Sequence, residues 1–227
     1  MDIKKFLEEG CNNLKDAIGE KFTIRIYDED VEMVILEAYG GGCIDVMSTC
    51  AMRRSLWGAS KWKSSIKYGI TSYTGAHGFR ESEIAGILRN YEGGLPDYIK
   101  DNIIEKCCDT LESLEHTSEG GMKTKYRQDY LRFWIPSLKE IVGCDYHYID
   151  IEYFKQEKQY EYFKDKSNRI LTDRRGKSVP YWTRTQQFMN PVMAYIITET
   201  GEVDYLNIGS HHYEFPLCMR LAINDNK

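Results

Sequence analysis

Tyr181-Trp182-Thr183-Arg184-Thr185 is the stretch on which the reading of this chain turns. In an extended segment alternate side chains share a face, so Trp182 and Arg184 point the same way. Such a pair has two uses. It can form a ligand platform, with Arg184 contacting an anion or a sugar. It can instead be structural, with Trp182 filling the core and Arg184 paired to a buried carboxylate, for which Glu140 is the candidate. Two more short runs follow, from Tyr195 to Val203 and from Phe215 to Ile223, and all three read as strands. Loops of mixed polar and aromatic residues separate them. Loops of this kind vary without disturbing the strands that carry them, which suits recognition better than catalysis.

Upstream, Ile3, Phe6, Leu7, Cys11, Leu14, Ala17 and Ile18 recur at helical spacing, predicting one helix over 2–18 that stops at Gly19. Residues 22–27 and 31–39 read as a hairpin turned at Asp28-Glu29-Asp30, and Cys43 to Met47 as a third strand. The segment 48–78 has no clear period, which in a compact domain marks function or flexibility. A helix is expected from Arg80 to Tyr91, with Ile84, Ile87, Leu88 and Tyr91 inward. Leu95-Pro96-Asp97 opens another, with Ile99, Ile103 and Ile104 inward. Cys107 to Leu114 can form a strand, 115–129 reads as a solvent loop, Tyr130 to Ile135 as a strand, and Pro136 to Gly143 as a short helix. Residues 144–180 read as largely irregular. The expectation is an N-terminal helix over 1–20 and a single α+β domain over 21–227.

With 42% hydrophobic residues the 227-residue chain can build a core, and 29% charged residues give it a solvated surface. The net charge of −5 argues against a nucleic-acid footprint, and Arg53-Arg54 and Arg174-Arg175-Gly176-Lys177 read as solvated turns. Seventeen tyrosines suit a contact surface or, more simply, half-buried sheet faces. The seven cysteines include no Cys-x-x-Cys pair, so reduced thiols are expected and neither a metal nor a cofactor is. Cys107-Cys108 reads as two small residues at a junction. The N-terminus lacks the apolar run of a signal peptide, and no segment reaches membrane-span length. Synthesis in a reducing cytoplasm is the expectation, and a virion component released by lysis fits the same facts. There is no Gly-x-Ser-x-Gly elbow and no phosphate loop; Gly40-Gly41-Gly42 reads as a turn.

Several motifs occur in order: Gly78-Phe79-Arg80-Glu81-Ser82-Glu83-Ile84, Leu95-Pro96, Phe133-Trp134-Ile135-Pro136-Ser137-Leu138-Lys139-Glu140-Ile141-Val142-Gly143, Gln159-Tyr160-Glu161-Tyr162-Phe163, Tyr181 to Thr185, and Phe215 to Ile223. Together they resemble one bacterial and phage domain family of unassigned function, over roughly residues 22–223. Phe79 stands where the family commonly has Trp, Thr185 where it has Ser, and Met219-Arg220-Leu221 where it has Arg-Pro-Ala. The resemblance implies a C-type-lectin-like fold, related to formylglycine-generating enzymes, with short antiparallel strands, two main helices and long irregular loops. It also implies likeness to the variable proteins of diversity-generating retroelements and to phage or prophage display modules.

In such proteins the C-terminal loops are the ligand face. Carried onto this chain, that face is Gln186, Gln187, Phe188, Met189 and Asn190, then Asp204, Tyr205, Asn207, Ser210, His211, His212 and Tyr213. Trp134, Glu140, Trp182 and Arg184 become the structural motif, and the partner a protein or a glycan. Cys218 has no cysteine beside it, so formylglycine-type oxidase chemistry lacks support. Adjacent histidines on an extended segment point opposite ways, so His211-His212 reads as a contact rather than a metal site. Two other functions stay open: an enzyme with a pocket near His77, Glu81, Glu140 and His147, and a phage structural subunit, for which a homo-oligomer is expected.

Overall fold

Phe22, Ile24 and Ile26 alternate with Lys21, Thr23 and Arg25, and the run forms β1 (Lys21–Ile26) with the apolar set buried and the polar set exposed. β1 pairs antiparallel with β2 (Glu29–Tyr39), and β2 with β3 (Cys43–Ser48). The turn between β1 and β2 is tighter than the sequence suggests. Glu29 and Asp30 pair with Ile26 and Arg25, leaving Tyr27 and Asp28 as the turn. A two-residue hairpin turn demands positive φ, and Tyr27 adopts 52°. Its ring lies over Gly94, where a Cβ would come within 2.5 Å of it, and its hydroxyl donates to the Asn90 carbonyl at 2.7 Å.

The computed structural model describes residues 1–11, 13–52, 79–116, 122–143, 155, 157–187, 190–207 and 214–223, with 81, 83, 111–116, 122–125 and 190–192 described by backbone alone. The next strands are β4 (Ile103–Ile104), β5 (Lys106–His116), β6 (Met122–Leu131) and β7 (Phe133–Trp134). They are followed by β8 (Leu171–Thr172), β9 (Ser178–Val179), β10 (Tyr181–Gln187), β11 (Asn190–Ile197), β12 (Val203–Asn207) and β13 (Cys218–Ala222). The largest sheet has the order β1-β2-β3-β13-β4, with β7 also on β13. A second sheet is β10-β11-β12, and β5-β6 and β8-β9 are hairpins. The helices are α1 (Ile3–Glu9), α2 (Glu83–Asn90), α3 (Asp97–Lys100) and α4 (Leu138–Val142). The fold is α+β, rich in antiparallel sheet, with few and short helices. Among the described residues no helix is long and apolar enough to cross a membrane.

One core collects side chains from along the described residues: Leu7 from α1, Ile24 and Met33 from the first hairpin, Phe79, Trp134, Tyr160, Phe163, and Tyr181, Trp182 and Tyr195 from the second sheet. Burying a Phe-sized side chain is worth about 1.5–3 kcal/mol. Tyr160, Tyr181 and Tyr195 are fully buried rather than half-buried on a sheet face.

Several elements differ from expectation. The single helix over 2–18 ends at Glu9, because Gly10 takes φ of 66°; a 3-10 turn, Leu14–Ala17, resumes behind an Asn13 cap. The loop expected over 115–129 contains the first eight residues of β6. Among the described residues β6 pairs only with β5, in a two-stranded hairpin, so its outer part can be polar. The expected strand 130–135 is divided at Arg132 between β6 and β7, and Ile104, expected inward, is 39% exposed. The run Tyr195 to Val203 is a hairpin rather than one strand: Tyr195–Ile197 ends β11 and Val203 begins β12. Residues 53–78 and 144–154, in the two long stretches expected to be irregular, lie outside the described residues.

Candidate functional site

Ser137 caps α4. Its hydroxyl accepts from Glu140 N at 3.1 Å, and the Glu140 carboxylate accepts from Ser137 N at 2.8 Å, a reciprocal capping box. This fixes the Glu140 side chain with its head turned back toward the helix start. β10 lies alongside: Arg184 N donates to Pro136 O at 3.0 Å, and Leu138 N donates to Thr185 Oγ1 at 2.9 Å. Arg184 Nη1 then reaches Glu140 Oε2 at 2.8 Å and Ile135 O at 2.6 Å, while Nη2 binds Glu157. Trp134 and Trp182 are both fully buried. The Trp182–Arg184 face therefore points into the core.

The Glu140–Arg184 pair is one end of a larger cluster. Lys106, the first residue of β5, donates to the other Glu140 oxygen and to the Tyr160 hydroxyl. The Tyr160 hydroxyl lies 3.0 Å from Glu140 Oε1 and 3.1 Å from Asp45 Oδ2. Asp45, on β3, takes Arg220 bidentately, Nε at 2.6 Å and Nη2 at 2.9 Å, and the Tyr39 hydroxyl at 2.8 Å. Arg220 and Asp45 face each other in the β13–β3 register. The acids Asp45, Glu140 and Glu157 are thus matched by Lys106, Arg184 and Arg220, joining both main sheets, the long hairpin and α4. Buried charges persist when paired in this way.

Burial opposes ionisation of Glu140, but Arg184 and Lys106 override it and hold the carboxyl down to about 2. Burial likewise opposes the Asp45 charge, and Lys106 and Arg220 override it. For Lys106 burial would favour the neutral amine, yet Glu140 and Asp45 push its pKa up. Glu157 goes the other way: burial raises it, Arg184 offsets this only in part, and Glu140 raises it further. Burial also pushes Tyr160 and Cys108 up, Cys108 to about 12. A protonated lysine and an ionised glutamate locked against each other are poorly placed to exchange protons at neutral pH.

The expected ligand residues fall into different places. Gln186 is 4% exposed on β10, a strand buried on both faces up to that point, which takes it off any outward face. Gln187 is half-buried. Asn190 opens β11 opposite Gln187 and is described by backbone alone. Asp204, Tyr205 and Asn207 lie on β12 rather than in a loop; Asp204 and Tyr205 are exposed and Asn207 is half-buried. Phe188, Met189, Ser210, His211, His212 and Tyr213 lie outside the described residues, as do His77 and His147. Glu81 ends a 3-10 turn, Phe79–Glu81, and is described by backbone alone. Of the alternative enzymatic set, Glu140 is the one with a described side chain, and it is bound to Lys106 and Arg184.

Sequence reasoning gives Asp45, Lys106 and Glu157 no role, and Tyr160 and Arg220 none beyond their place in the ordered motifs. A signal existed for two of them, since Asp45 and Arg220 each stand alone inside an apolar strand run. Among the described residues no three His, Cys, Asp or Glu side chains are grouped to hold a metal ion. The described cysteines are free thiols, with Cys107 and Cys108 both on β5. Comparison of the chain with protein-family models, curated proteins and solved structures finds no match.

Proposed function

We propose that this chain is a non-catalytic recognition protein, a C-type-lectin-like scaffold that offers the β12 edge to a protein or glycan partner. The observation that carries the reading is the contrast across the second sheet. Tyr205, on the edge strand, is 44% exposed. Beneath it the directly opposite Tyr195 is buried, the two rings meeting edge-to-face at 6.3 Å. A rigid, half-exposed tyrosine backed by core is the kind of anchor that recognition surfaces use. The mutually neutralised cluster below supports a scaffold role, because its charges satisfy one another. The motif resemblance adds a phage or retroelement setting, in which display is the common task.

The test is a glycan array and a panel of surface proteins probed with the purified chain, followed by the Asp204→Ala, Tyr205→Ala double variant on whatever is retained. Loss of binding at unchanged melting temperature is the expected result. Full retention by the folded double variant would overturn the β12 face.

A further inference from the structure

A cleft of about 240 Å3 opens over one side of the charge cluster, lined by Tyr39, Lys106, Cys107, Lys158, Tyr160 and Arg220, with Glu140 and Glu157 in its floor. What an entering molecule meets is set by exposure. The carboxylates of Asp45, Glu140 and Glu157 are sealed, with side chains 0%, 1% and 1% exposed, whereas Arg220 is 18% and Lys158 66% exposed. The mouth is therefore cationic although the cluster as a whole is neutral. Lys106 is committed to Glu140, Tyr160 and Asp45.

The other two cations keep donors in hand. Arg220 engages Asp45 through Nε and Nη2, and its Nη1 has no hydrogen bond among the described residues. Lys158 Nζ stands 3.5 Å from Glu37 Oε2, an oxygen that already accepts from Glu161 N at 3.2 Å. Both cations sit against one ring: Arg220 Cζ is 4.5 Å and Lys158 Nζ 5.7 Å from the Tyr39 centroid. Tyr39 is itself pinned through its hydroxyl to Asp45. Arg220 is thus held in place before any ligand arrives, which lowers the ordering cost of binding, and Lys158 reaches over the same ring from the exposed side.

We propose that this cleft binds a small molecule bearing an oxyanion, clamped between Arg220 Nη1 and Lys158 Nζ. Charge-assisted hydrogen bonds from a guanidinium and an ammonium suit a carboxylate or a phosphate equally. The volume falls below the roughly 300–1,000 Å3 of pockets for drug-sized ligands, so the occupant is one sugar-sized group and not a long chain.

The experiment is calorimetric titration of the full chain with glucuronate, with inorganic phosphate and, as the neutral control, with glucose. Saturable binding of one anion and none of glucose is expected, weakening as salt is raised. The tighter of the two anions tells a carboxylate ligand from a phosphate one. Lys158→Gln, at an exposed position that leaves the fold intact, should weaken the binding about tenfold, the scale of one hydrogen bond to a charged group. The proposal is overturned if neither anion saturates at about 10 mM, well above a ~1 mM dissociation constant. Glucose binding as well as the anions, or Lys158→Gln binding as well as the parent, would also overturn it. The cleft shares no residue with β12, so its failure leaves the recognition face standing, and the reverse also holds.

Discussion

β10 and β12 flank the same strand, β11, in the same three-stranded sheet, yet their surroundings are opposite. β10 is buried from Tyr181 to Gln186, and its arginine is held by Glu140, Glu157 and a backbone carbonyl. β12 pairs on one side only among the described residues, and Asp204 and Tyr205 face outward. The motif resemblance places expected ligand residues on both, Gln186 and Gln187 on β10 and Asp204, Tyr205 and Asn207 on β12. What separates them is whether the polar groups have internal partners. The hydrogen-bond acceptors around Arg184 make it scaffold, and the exposure of Tyr205 makes it available.

The comparison breaks most sharply at Arg184. Arg184→Ala leaves Glu140 and Glu157 buried without their shared cation and is expected to cost about 3–5 kcal/mol, measured as a lowered urea midpoint. Acid comes next. The Glu140 carboxyl is depressed from an ordinary 4.5 to about 2. Its stabilising contribution is therefore complete above pH 4.5 and is lost as pH falls toward 2, a change of about 3 kcal/mol for a fully buried group. Glu157, raised instead, contributes most at low pH and loses that contribution as pH rises through its folded value. Glu140→Gln should accordingly flatten the acid limb of a melting-temperature profile, and Glu157→Gln should cost less than Glu140→Gln at neutral pH.

Two smaller effects complete the scale. Gly94→Ala would drive a methyl into the Tyr27 ring and is expected to cost about 1–3 kcal/mol in thermal unfolding. Tyr205→Ala should change stability by less than about 0.5 kcal/mol while removing partner binding. A loss for Tyr205→Ala as large as that for Arg184→Ala would erase the distinction between the two strands.

The parts of this arrangement legible in the sequence were the local ones. The alternation of β1, the Pro136-Ser137 entry to α4 and the pairing of Arg184 with Glu140 all rest on short-range pattern or on ordered motifs. The rest of the cluster was hidden because its partners are far apart in the chain: Asp45 meets Arg220 across 175 residues and Tyr160 across 115. A lone charge within Cys43-Ile44-Asp45-Val46-Met47 or Cys218-Met219-Arg220-Leu221-Ala222 signals that a partner must exist, since charged residues are seldom fully buried alone. Which partner it is depends on β13 lying beside β3, and periodicity does not encode that neighbour. The β6 residues were misjudged for a related reason. Met122 to Gln128 carry no apolar alternation to reveal the strand, and the first residue of β6 with a buried side chain described is a charged one, Asp129.

β13 is the late-sequence strand that lies centrally in the largest sheet, holding β3, β4 and β7 together. A growing polypeptide must therefore carry an incomplete sheet, its β3 flank bare, until residue 222 has emerged. Completion of that sheet is expected to be slow, as befits contacts so distant in sequence. Truncation ahead of Cys218 would remove the seam itself, leaving fragments fit for proteolysis rather than a slightly shortened protein.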